Sequence, residues 1–96
     1  MAVSAHEWGR RVPEISRFFG IVIFMYARAH GAAHFDARYG EHWASVEIER
    51  ETIRGYLPRR ARKMVLEWAR LHRPKLLENW HRARAENELI PIAPLE

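Results

Sequence analysis

Ninety-six residues leave room for one domain, and the absence of cysteine excludes disulfides, thiolate metal sites and a cysteine nucleophile. A composition of 48% hydrophobic and 11% aromatic residues argues against disorder. The formal net charge is +4, and fourteen of the sixteen basic residues are arginine, the side chain suited to bidentate contact with carboxylate or phosphate.

Residues 1–12 show no period and read as an N-terminal extension with Trp8 as its docking side chain, which leaves a single domain over residues 13–96. Phe18 to Ala27 is an apolar run that follows Arg10, Arg11 and Arg17 and precedes Ala27-Arg28-Ala29, so it mimics a secretory leader. The run is shorter than the ~20 residues a membrane span needs, and Glu7 and Glu14 interrupt the basic segment before it. Residues 20–27 therefore read as a buried strand, and the chain is expected in the cytoplasm. Gly31 marks a loop. His34 to Tyr39 alternates, with Phe35, Ala37 and Tyr39 on one face and His34, Asp36 and Arg38 on the other. After a turn at Gly40-Glu41, His42 to Arg50 alternates again, and Thr52 to Tyr56 supplies a short last strand.

The second half changes period. Ala61, Met64, Val65, Trp68, Leu71 and His72 recur at helical spacing, with Pro58 suited to the helix start. Pro74 opens a second helix that carries Leu76, Leu77, Trp80 and Ala83 on one side and ends near Asn87. The tail, with Pro91 and Pro94, reads as extended. The expected fold is α+β: an antiparallel sheet of three to four strands with two C-terminal helices packed on one face.

Charge gathers on the helices, where residues 57–86 hold nine basic and three acidic side chains. Arg59, Arg60, Arg62 and Lys63, joined by Arg70 and Arg73, lie opposite the Trp68 stripe, with Arg60 towards one edge. Four cations in the opening turns oppose the helix dipole, so the patch reads either as a solvated face or as a site for nucleic acid or an acidic protein. Leu66 sits among them and would be an exposed apolar anchor for a partner. A second set is His30, His34 and Asp36. An imidazole beside a carboxylate suits a general base and the same groups could ligate a divalent metal, but solvated or structural hydrogen bonding is the commoner role for such a set. His72, on the apolar stripe, reads as a core histidine. The aromatic side chains read mostly as core; Trp43 is the exception, on the Ser45 and Glu47 side of its strand. No Gly-rich phosphate loop, serine elbow or helix-turn-helix signature occurs, so no cofactor is expected.

Several stretches carry a resemblance. Pro13-Glu-Ile-Ser-Arg-Phe-Phe-Gly-Ile-Val-Ile23, His34-Phe35 to Tyr39-Gly40, Leu57-Pro-Arg-Arg-Ala61, and Val65-Leu-Glu-Trp-Ala-Arg-Leu-His72 running into Leu76-Leu-Glu-Asn-Trp80 resemble the bacterial family known as domain of unknown function 4160. The resemblance spans roughly Pro13 to Leu95. It implies the toxin role in a toxin–antitoxin-like pair whose partner is a small protein of the domain of unknown function 2442 type; the resemblance names no target, and RNA or translation is the target that the basic helix suggests. Asp36 stands where that family has the second histidine of a His-x-His pair, so Asp36 would serve as base or ligand in its place, or the chemistry is lost. Two other classes stay open: a non-enzymatic protein- or nucleic-acid-binding module, and a small metal-dependent enzyme using His30, His34 and Asp36.

Overall fold

A computed structural model describes residues 13–27 and 29–96. The extension expected at residues 1–12, Trp8 included, lies outside the described residues. Five strands come first: β1 (Glu14–Phe18), β2 (Ile21–Phe24), β3 (His34–Tyr39), β4 (His42–Glu47) and β5 (Ile53–Gly55). Two helices follow, α1 (Arg59–Leu71) and α2 (Arg73–Arg84). The strands form one antiparallel meander in the order β1-β2-β3-β4-β5, so the sheet has one strand more than the upper expectation.

The additional strand is β1, and two local features hide it. A bulge shifts the register between Glu14 and Ser16, so the neighbours Ile15 and Ser16 are both buried and the alternation breaks. The apolar run also contains a turn. Phe19 (φ 48°) and Gly20 (φ 81°) join β1 to β2, and positive φ at both positions is what a type I′ hairpin requires. A bulky residue rarely takes that conformation. Here Phe19 does, and its side chain is left 57% exposed.

Both helices contribute to the core that one face of the sheet builds. Ile21 and Ile23 of β2, Phe35 and Ala37 of β3, and Ala44 and Val46 of β4 point into it. From α1 come Ala61, Val65, Trp68 and Ala69. The buried arc of α1 is turned towards Ala69 relative to the expected stripe, which leaves Leu71 64% exposed and Met64 half-buried. Trp68 is fully buried, with its ring centroid 5.4 Å from that of Phe18 and 5.6 Å from that of Phe35. Edge-to-face and tilted pairs of this kind add to the gain from burial alone. His72, between the helices, is half-buried and tilts against Trp68 at 5.6 Å. No helix among the described residues is long and apolar enough to cross a membrane.

Residues 85–96 form no helix or strand, yet hydrogen bonds to their backbone hold the segment. Asn79 is buried; its Nδ2 donates to the Ile90 carbonyl (2.8 Å) and its Oδ1 accepts from the Ile90 N–H (2.9 Å). The Trp68 Nε1–H donates to the Ala93 carbonyl (2.8 Å), and the Ile92 N–H donates to the Ile15 carbonyl on β1 (2.8 Å). The tail thus touches α2 at Ile90, the β1 edge of the sheet at Ile92 and α1 at Ala93.

Replacing Asn79 by Ala removes both bonds to Ile90 and leaves a void, so Asn79→Ala should lower stability by about 2–4 kcal/mol in urea denaturation. A loss below about 0.5 kcal/mol would show that the tail is not anchored there. Burial, aided by the charge of Lys75, holds the His72 pKa below its ordinary 6.5. The neutral ring is therefore favoured in the fold, and on acidification the unfolded chain binds the extra proton first. Stability should fall as pH drops below about 6.5, and His72→Gln should reduce that fall when melting midpoints near pH 7.5 and pH 5 are compared.

Candidate functional site

Leu57 is buried and fixes the end of the segment that leaves β5, and Pro58 occupies the N-cap of α1 without a side-chain capping bond. The first turn holds no acidic residue. Instead Arg59, Arg60, Arg62 and Lys63 follow the cap, and all four are exposed. Each opposes the positive end of the helix dipole, at a cost of about 0.3–1 kcal/mol when exposed. No ion pair or side-chain hydrogen bond engages any of the four among the described residues.

The other two expected members of the patch are engaged. Glu51, in the β4–β5 connection, accepts from the Arg70 Nε (3.0 Å) and from the Arg73 guanidinium. This carboxylate ties the connection to the junction of the two helices. The six cations therefore divide into an open group at the start of α1 and a structural pair at its end. Leu66 differs from expectation as well: it is half-buried against the apolar core, because the flank of α1 beyond Ala69 still meets the core margin. It is not the exposed anchor that the wheel suggests.

His30, His34 and Asp36 are not drawn into one hydrogen-bonded group. His30 is exposed in the loop before β3. The half-buried His34 places Nδ1 2.9 Å from the Ala32 carbonyl and its ring 5.2 Å from Trp80 of α2. Asp36, also half-buried, accepts from the Ser45 hydroxyl at 2.9 Å. Strand alternation assigns His34 and Asp36 to one face, but their contacts lead in different directions. Among the described residues no three His, Asp or Glu side chains come together as metal ligands. A groove of about 670 Å³ along α2, lined by Pro74, Leu77, Glu78, His81, Arg82, Ala85 and Asn87, contains none of the candidate residues.

The sheet face away from the helices holds what the sequence reading left out. Strand register places Arg17, Val22, Arg38 and Trp43 in one row across β1 to β4, and the Tyr56 N–H extends the row by donating to the Trp43 carbonyl (3.3 Å). The Arg38 guanidinium lies 5.6 Å from the Phe24 ring centroid and 5.7 Å from that of Trp43, within cation–π range. Phe24 stacks on Trp43 at 5.5 Å and is only 5% exposed. Trp43 keeps 46% of its surface in solvent and Tyr56 62%. Alternation alone could have paired Arg38 with Trp43. The role of Glu51 had no such signal, because its partners lie nineteen and twenty-two residues away.

No curated protein and no solved structure matches the chain. A family model described as a domain of unknown function (DUF4160) matches residues 20–81, which run from the β1–β2 turn through β2, β3, β4, β5 and α1 into α2. The match takes in the basic opening of α1, the His34 and Asp36 strand, and Asn79, and the chain belongs to the DUF4160 family.

Proposed function

We propose that this protein is the toxin-like member of a bacterial toxin–antitoxin-type module, that it acts by binding RNA, and that its partner is a small protein of the domain of unknown function 2442 type. The toxin role and the partner rest on the family resemblance. The RNA reading rests on one observation: Arg59, Arg60, Arg62 and Lys63 stand exposed and unpaired among the described residues, at the helix end where cations are least favoured. Arg70 and Arg73 show the contrast, since both are held by the Glu51 carboxylate. Phosphate is the ligand class that repays such a cluster without requiring a pocket. The reading asks for binding and not for catalysis, in keeping with the separate hydrogen bonds of His34 and Asp36.

The test is a salt titration of RNA binding by the purified full chain. Affinity should fall with a log–log slope of about −2 to −3, since each neutralised phosphate of a single strand contributes about −0.7. The double substitution Arg59→Glu with Arg62→Glu should weaken binding at least about tenfold and flatten the slope, with the circular dichroism spectrum unchanged. Absent or salt-insensitive binding would overturn the RNA reading.

A further inference from the structure

We infer that the exposed rings of Trp43 and Tyr56, at the end of the β4–β5 pair, form a stacking platform for single-stranded RNA, continuous with the arginines that open α1. The inference rests on the RNA reading above and names the form of RNA recognised.

Three features of the chain meet at this end. Trp43 on β4 and Tyr56 at the end of β5 are backbone-paired neighbours, and the two residues are 46% and 62% exposed. Gly55 makes the pairing possible: its φ is 100°, and a Cβ there would lie 2.6 Å from the Trp43 carbonyl oxygen. Any other residue would push β5 away and carry Tyr56 with it. The His42 ring packs edge-on against Tyr56 at 5.1 Å, which holds the phenol ring upright at the sheet edge.

Charge follows the rings. Arg38 lies beside Trp43 in the same row, and that row from Arg17 to Tyr56 contains no carboxylate. Glu14, Asp36 and Glu47 fall in the rows beyond, where Glu14 holds the Arg17 guanidinium at 2.9 Å, Asp36 is bonded to Ser45 and Glu47 to Thr52. Glu41, in the β3–β4 turn, is the acid at this end. Three residues after Tyr56 comes Arg59, and three extended residues span at most about 11 Å. A base lying on Tyr56 would therefore have its phosphates within reach of Arg59 and Arg60. Duplex RNA cannot use such a surface, because its bases are stacked on one another and its deep groove excludes side chains. An unpaired strand can lay successive bases on exposed rings and its backbone along the arginines. A protein partner would also suit Trp, Tyr and Arg. The unpaired cations that continue from the rings favour the polyanion.

The experiment measures fluorescence anisotropy of a labelled, unstructured RNA of about twelve nucleotides, and of the same strand annealed to its complement. The full chain should bind the single strand more tightly than the duplex. Tyr56→Ala and Trp43→Ala should each weaken single-strand binding about tenfold with the salt slope unchanged, whereas Tyr56→Phe and Trp43→Phe, which keep a ring, should bind nearly as the parent does. If the alanine variants bind as the parent does while Arg59→Glu with Arg62→Glu loses binding, the platform is rejected and the basic-helix reading stands. Equal affinity for duplex and single strand also rejects the platform. No binding to either RNA overturns both readings. Capture of a protein partner that depends on Trp43 and Tyr56, with RNA binding independent of them, would reassign the face to that protein.

Discussion

The indole of Trp68 joins every layer of this molecule. Its ring packs on Phe18 at the end of β1 and on Phe35 in the central strand, and its N–H bonds to the Ala93 carbonyl in the tail. A buried indole with an unmet N–H would carry the full desolvation penalty, so the tail and the ring must be placed together. The site depends on that placement. With Trp68 fixed over the sheet, α1 turns Arg59, Arg60, Arg62 and Lys63 to solvent, and both helices stay on one face. Trp43, on the opposite face, and Tyr56, at the end of β5, stay exposed.

The arginines divide the same way, between structure and surface. Glu51 holds Arg70 and Arg73, Glu78 and the Glu88 carbonyl hold Arg82, and Arg84 lies 5.7 Å over the Trp80 ring. The cations that remain unengaged among the described residues are concentrated where β5 passes into α1. Exposed ion pairs contribute little to stability, so the pairs at the far end of α1 serve chiefly to fix the β4–β5 connection. A small domain without a deep cavity can still recognise a polyanion, because phosphate contact needs guanidinium groups on a rigid frame and not enclosure.

Much of this was legible in the residues. Alternation in β3 and β4 and the helical spacing of Ala61, Val65 and Trp68 are local signals, and the structure follows them. β1 was hidden because a bulge breaks its alternation and Phe19, an improbable turn residue, makes two strands look like one run. The Leu-Leu-Glu-Asn-Trp stretch was readable as a pattern, but the reason for its asparagine was not, since Asn79 acts on Ile90, eleven residues later. Of the candidate residues, the opening of α1 was legible because charge against the dipole is a sequence property. The division of Arg70 and Arg73 from that group, and the packing of Leu66, depend on Glu51 and on helix rotation, which spacing does not encode.

The central claim joins a cellular role to one surface, and growth of a bacterial host tests both. Wild-type chain and the Arg59→Glu, Arg62→Glu double variant are induced without the partner, at matched protein levels, and growth rate is followed. The account predicts arrest by the wild type and near-normal growth with the double variant. Unimpaired growth with the wild type at high expression, or equal arrest by both proteins, would contradict it.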